Sequence, residues 1–190
     1  MVSISVEIGR PADHIRWSSS LSQTFAMNLS APFIPQFFKA QVDQMLPFCD
    51  IVIGNESEAA AYAESHGLSA TDPASVATAI ANLPKQNASK PRLVIITQGA
   101  SSTLVASSSA SDYAGNLHAG EENPKTFPVN KMADDEIVDT NGAGDAFAGG
   151  FLGAFVQGKT LTESIEAGHT LGQLCVGQIG PQFGPKKQIL

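Results

Sequence analysis

With 43% hydrophobic and 15% charged side chains, this chain of 190 residues has the material for one buried core, which excludes an intrinsically disordered chain and fits a single domain. Eighteen acidic residues against eleven basic give a formal charge of -7, and no Lys/Arg run builds a local basic field, so nucleic acid and anionic membrane are excluded as partners. No stretch reaches the roughly eighteen consecutive apolar residues of a membrane span, and the start, MVSISVEIGR, lacks a basic region followed by an apolar run. The cytosol is the expected compartment, with the nucleus left open.

In chain order, Val2, Ile4, Val6 and Ile8 alternate as in a strand until Gly9-Arg10-Pro11 ends the pattern. Residues 1–23 receive no function, Arg16 and Trp17 included. Short apolar runs follow at Phe25 to Leu29, Ile51 to Ile53 and Leu93 to Ile96, alternating with helical patterns over about Ile34 to Leu46, Glu56 to His66 and Pro73 to Leu83. The second and third runs are β-branched and free of polar residues, as in parallel strands covered by helices on both faces. An α/β layer fold is therefore expected. Cys49 and Cys175 stand far apart in apolar neighbourhoods without metal-type spacing, which reads as two buried, reduced thiols.

After Gln98-Gly99 two further strands are expected, Ser102 to Ala106 and Thr126 to Val129, joined by a Ser/Gly/Asn-rich surface loop from Ser107 to Asn123. Phe147, Phe151 and Phe155 then recur every fourth residue and mark one apolar helical face, and another helix starts at Leu161.

Before the phenylalanine helix stands Asp139-Thr140-Asn141-Gly142-Ala143-Gly144-Asp145. Lacking Cβ atoms, Gly142 and Gly144 let backbone N–H groups approach an anion, and the helix start adds unpaired donors and a positive dipole end. An aspartate in a first helical turn is also favoured by that dipole alone. The two glycines beside Asp145, and Thr140 and Asn141 before it, favour a second role, in which the carboxylate orients an acceptor hydroxyl and takes its proton.

Residues 139–151, DTNGAGDAFAGGF, are similar to the signature of the ribokinase (PfkB) family of carbohydrate and nucleoside kinases. Sugar kinases of that family commonly carry Thr where this chain has Asn141, and the Asn form, with the segment Asn28 to Ile34, resembles the branch that phosphorylates adenosine. The resemblance implies a three-layer ribokinase-like α/β fold with a mostly parallel central sheet, here without the family's N-terminal strands and lid. It also implies an ATP- and Mg²⁺-dependent transfer to the adenosine 5′-hydroxyl, with Asp145 as catalytic base and the amides of Gly142, Ala143 and Gly144 as anion hole. By the same resemblance Thr97, Gln98, Gly99 and Asn141 lie along ATP, and residues 24–190 form the nucleotide-binding part of the kinase domain. The family's N-x-x-E motif matches Asn55 and Glu58, which would help hold Mg²⁺ through water. Without the family, Asn55 and Glu58 read as an N-cap and its capping-box partner. His169 also resembles a family residue near the nucleotide base, although a helix histidine is more often packed or solvated.

The family's long N-terminal part, which supplies the first strands, the lid and most nucleoside contacts, has no counterpart in the chain. A fragment, an alternative gene model or a truncated isoform is therefore expected. Two other readings stay open: a related sugar kinase, and a non-catalytic nucleotide-binding fragment.

Gly153 to Thr160 satisfies the Walker A pattern G-x-x-x-x-G-K-[ST], yet its first residues continue the phenylalanine helix where a P-loop needs a preceding strand. Gly158 reads as a helix stop, with Thr160 and Glu163 as the next capping box. Lys159→Ala is accordingly expected to leave ATP affinity unchanged by calorimetry, and a collapse of binding would move the nucleotide site to that segment.

Overall fold

The computed structural model describes residues 24–108, 123–180 and 182. The expected strand at Val2 to Ile8, the Arg16/Trp17 pair and most of the expected loop before Asn123 lie outside those residues. One five-stranded sheet runs in the order β1 (Ala26–Asn28), β2 (Ile51–Asn55), β3 (Leu93–Thr97), β4 (Ser102–Ser107) and β5 (Lys125–Pro128). β1, β2 and β3 pair in parallel, and β4 turns back antiparallel between β3 and β5. Four of the five strands therefore share one direction, and the sheet is mixed but mostly parallel.

The absence of polar side chains in the central strands is explained by what covers them. Val52, Val94, Ile96, Leu104 and Ala106 face a layer built from α2 (Lys39–Met45), α3 (Glu56–Ser65) and α4 (Pro73–Ala81), through Val42, Tyr62, Val76 and Ile80. The alternate residues Ile51, Ile53, Leu93, Ile95 and Val105 face α5 (Ala143–Phe155) and α6 (Leu161–Val176), through Phe147, Phe151, Leu161 and Ile165. Successive strand side chains point to opposite faces, so two apolar cores require unbroken apolar strands.

α5 and α6 approach almost backbone to backbone. A Cβ on Gly150 would lie 2.5 Å from the Ala167 carbonyl oxygen, and one on Gly168 would meet the Phe147 ring at 2.8 Å. Cys49 and Cys175 are both free and buried, as expected, and burial pushes the Cys49 thiol up to about 12. Among the described residues, no helix is long and apolar enough to cross a membrane.

The single helix expected over Ile34 to Leu46 is divided into α1 (Phe33–Phe37) and α2, with a 3₁₀ turn at Leu46–Phe48 after them. Phe38 leaves helical geometry at φ -117 and ψ 30. Its amide still donates to Ile34 O and its carbonyl still accepts from Gln41 and Val42 N–H, so these bonds span the bend, which leaves no trace in apolar spacing.

At the N-terminal edge of the sheet, Arg92 is fully buried just before β3. Its guanidinium donates to the carbonyls of Leu46 and Cys49 after α2 and of Ile80, Ala81, Leu83 and Pro84 at the end of α4, at 2.6 to 3.4 Å. Beside it, Lys85 pairs with Asp50, whose other oxygen accepts from Phe25 N at 2.8 Å. Arg92→Leu, which removes a fully buried cation's six hydrogen bonds and leaves buried carbonyls such as that of Cys49 without this donor, is expected to lower unfolding stability in urea by at least about 3 kcal/mol.

Candidate active site

The opposite edge of the sheet carries the polar groups. Asn28, Asn55 and Thr97 end β1, β2 and β3, with Asn55 in register with Thr97. Parallel sheets place their ligand crevice outside these carboxyl ends. The Thr97 hydroxyl donates to Gly54 O at 3.4 Å. Gln98 and Gly99 form the turn into β4: Gln98 N–H donates to Ser102 O, the Ser102 hydroxyl donates to Gln98 Oε1 at 2.9 Å, and Gly99 takes φ +53.

Asn55 and Glu58 make the capping box in full. Glu58 N–H donates to Asn55 Oδ1 at 2.9 Å, Asn55 N–H to Glu58 Oε2 at 3.0 Å, and Asn55 Nδ2 to Glu58 Oε1 at 2.9 Å. Glu58 is buried nonetheless. Burial raises its pKa first of all, the Asn55 amide opposes that, and the negative charges of Asp145 and Glu56 raise it further. Glu58, in the first turn of α3, thus feels the charge of Asp145, in the first turn of α5, although the two helices cover opposite faces of the sheet.

α5 begins at the glycine turn. Gly142 is its N-cap residue and sits in the left-handed region at φ 78, where a side chain would be strained. Ala143 and Gly144 open the helix, and Asp145 stands exposed in its first turn. Asn141 immediately precedes, its amide donating to Asp139 Oδ1 at 2.9 Å.

The last turn of α6 supports this segment. Val176 O accepts from the amides of both Val138 and Asp139, and the Cys175 thiol donates to Asn141 O at 3.4 Å. The sequence gives Asp139 no role and treats Cys175 only as a buried thiol. The Asp-x-Asn spacing is an available signal for a side chain holding the backbone two residues on. Nothing local links Cys175 to the turn.

His169 belongs to the packing, as its helical position suggests: Nε2 hydrogen-bonds the Thr103 hydroxyl at 2.8 Å, the ring lies against Phe147, and burial lowers its pKa. The Walker-like segment is the joint between α5 and α6. Gly158 takes φ +79, Lys159 N–H donates back to Ala154 O, and Thr160 and Glu163 form a capping box.

Residues 12–188 match the model of the pfkB family carbohydrate kinases. The chain belongs to that family. Among similar pfkB proteins, the adenosine kinase of Schizophyllum commune is 53% identical over 175 residues, which is 91% of this chain and 48% of the relative. That of Schizosaccharomyces pombe is 44% identical, covering 88% of the chain and 46% of its own length. A solved adenosine kinase from Schistosoma mansoni in complex with 2-fluoroadenosine superposes with a TM-score of 0.78 at 38% identity, over 90% of this chain and 47% of that one. The chain spans about half the length of the curated relatives it matches.

The coupling between Glu58 and Asp145 gives a direct test of the site. A carboxyl with its folded pKa raised contributes stability that is complete below the unfolded value and is lost as pH rises through the folded one. Carboxyl NMR titration is expected to find Glu58 above the ordinary glutamate value and to see it fall in Asp145→Asn. An unmoved Glu58 would mean that the two groups do not share a site.

Proposed function

We propose that this chain carries the ATP-binding and phosphoryl-transfer part of an adenosine kinase, which phosphorylates the adenosine 5′-hydroxyl to give AMP and ADP, a purine-salvage reaction. The observation that carries the reading is Asp145 in the first turn of a helix that opens on a left-handed glycine turn, together with the Asn55/Glu58 cap at the carboxyl end of a parallel strand. The 53% identity to a named adenosine kinase supports adenosine as the acceptor over a sugar.

Asp145 accepts the proton of the 5′-hydroxyl as that oxygen attacks the γ-phosphorus. The bond from phosphorus to the β,γ-bridging oxygen breaks, and ADP leaves with that electron pair. Amides of Gly142, Ala143 and Gly144 donate to the transferring phosphoryl group, the Ala143 N–H exchanging its long 3.3 Å bond to Thr140 O for it, and each such donor is worth about 3 kcal/mol of barrier lowering. Because those amides belong to a fixed turn and a helix N-terminus, little reorganisation accompanies the developing charge. Thr97, Gln98, Gly99 and Asn141 line the remainder of ATP.

Two nearby carboxylates are a donor set suited to a hard cation, and both oxygens of Glu58 are already engaged by Asn55. Asn55 and Glu58 therefore suit Mg²⁺ through its hydration water. Once bound, Mg²⁺ neutralises charge on the ATP phosphates.

A second reading, a nucleotide-binding unit without turnover, is favoured by the chain spanning about half of its relatives. AMP formation from adenosine and MgATP distinguishes the two. Asp145→Asn is expected to cost about 10²- to 10⁴-fold in rate while ATP binding persists. ATP binding without turnover by the unsubstituted chain would favour the second reading, and phosphorylation of ribose but not adenosine would place the chain with the sugar kinases.

A further inference from the structure

Both backbone polar groups of Asn141 are held by side chains from outside the helix that follows. Its N–H donates to Asp139 Oδ1 at 2.9 Å, and its carbonyl accepts from the Cys175 thiol at 3.4 Å. That carbonyl and the N–H of Gly142 belong to one planar trans peptide, so they point in opposite directions. With the oxygen drawn toward the buried Cys175, the Gly142 N–H is aimed away from α6. Asp139 is itself fixed, since its amide and that of Val138 share Val176 O.

A carboxylate beside a polyphosphate site is unfavourable by charge alone. The residue at 139 therefore has to contribute something that outweighs repulsion, and the contribution visible here is one oxygen acceptor for the Asn141 amide. We propose that Asp139 is a positioning residue for phosphoryl transfer: by holding the Asn141 N–H it fixes the Thr140–Asn141 peptide, and with the next peptide held by Cys175 at the Asn141 carbonyl this orients the Gly142 N–H, the first donor of the anion hole.

This inference rests on the ATP-site reading above, and its test separates the two. The chain with Asp139→Ala, which removes the acceptor, is expected to bind MgATP about tenfold more weakly by calorimetry with an unchanged melting temperature, the effect of losing one hydrogen bond that holds a charge-binding group. Asp139→Asn keeps the oxygen and discards the charge, and is expected to bind MgATP at least as well as the unsubstituted chain. Amide hydrogen exchange at Asn141, read by NMR without nucleotide, is expected to speed up in Asp139→Ala and to stay protected in Asp139→Asn.

An Asn variant as weak as the Ala variant would overturn the inference, because the charge and not the hydrogen bond would then be what position 139 supplies. Equal ATP binding and equal exchange in all three chains would overturn it too. If the unsubstituted chain binds no ATP, the ATP-site reading fails, and the exchange comparison still decides whether Asp139 holds the turn.

Discussion

The arrangement of the whole chain depends on how the carbonyls that end α2 and α4 are satisfied. Each helix ends with carbonyl acceptors and a negative dipole end, and both ends meet around the buried Arg92 at the start of β3. Arg92 answers both ends with one rigid, planar donor set. A lysine offers a point charge on a flexible stem and could not reach six carbonyls from one position. With that edge of the sheet closed by Arg92 and by the Lys85–Asp50 pair, the carboxyl edge is left for polar chemistry.

The pattern of apolar residues reveals the layers because each layer leaves a period in the sequence. Ile51 to Ile53 and Leu93 to Ile96 are unbroken because both of their faces are covered, and Phe147, Phe151 and Phe155 recur by four because one face of α5 is buried. The bend at Phe38 is invisible to the same reasoning, since it alters no period. The role of Arg92 is equally hidden. A lone arginine before a strand gives no sign that two helix ends, far away in sequence, converge on it.

Within the candidate site, the division between legible and hidden follows the range of each interaction. The glycine turn, the position of Asp145 and the Asn55/Glu58 capping box are local, and their residue types and spacing disclose them. What supports them is tertiary: the Asp145 charge is one cause that raises the Glu58 carboxyl, and Cys175 reaches Asn141 from the end of another helix. The Asn55/Glu58 capping box holds a carboxylate in a fixed place, so capping is compatible with the Mg²⁺ role proposed for the pair.

The last carbonyl of α6 gives that helix a second meaning. Val176 O accepts two amides of the segment leading into the glycine turn, while the start of the same helix is pinned by the Thr160 cap and its middle lies against α5 with no side chain between at Gly168. Each added residue would rotate the end of the helix by about 100° and advance it about 1.5 Å, carrying the acceptor out of reach. α6 is therefore a ruler: its length, as much as its composition, fixes where the glycine turn stands, and insertions and deletions belong in its flanking loops.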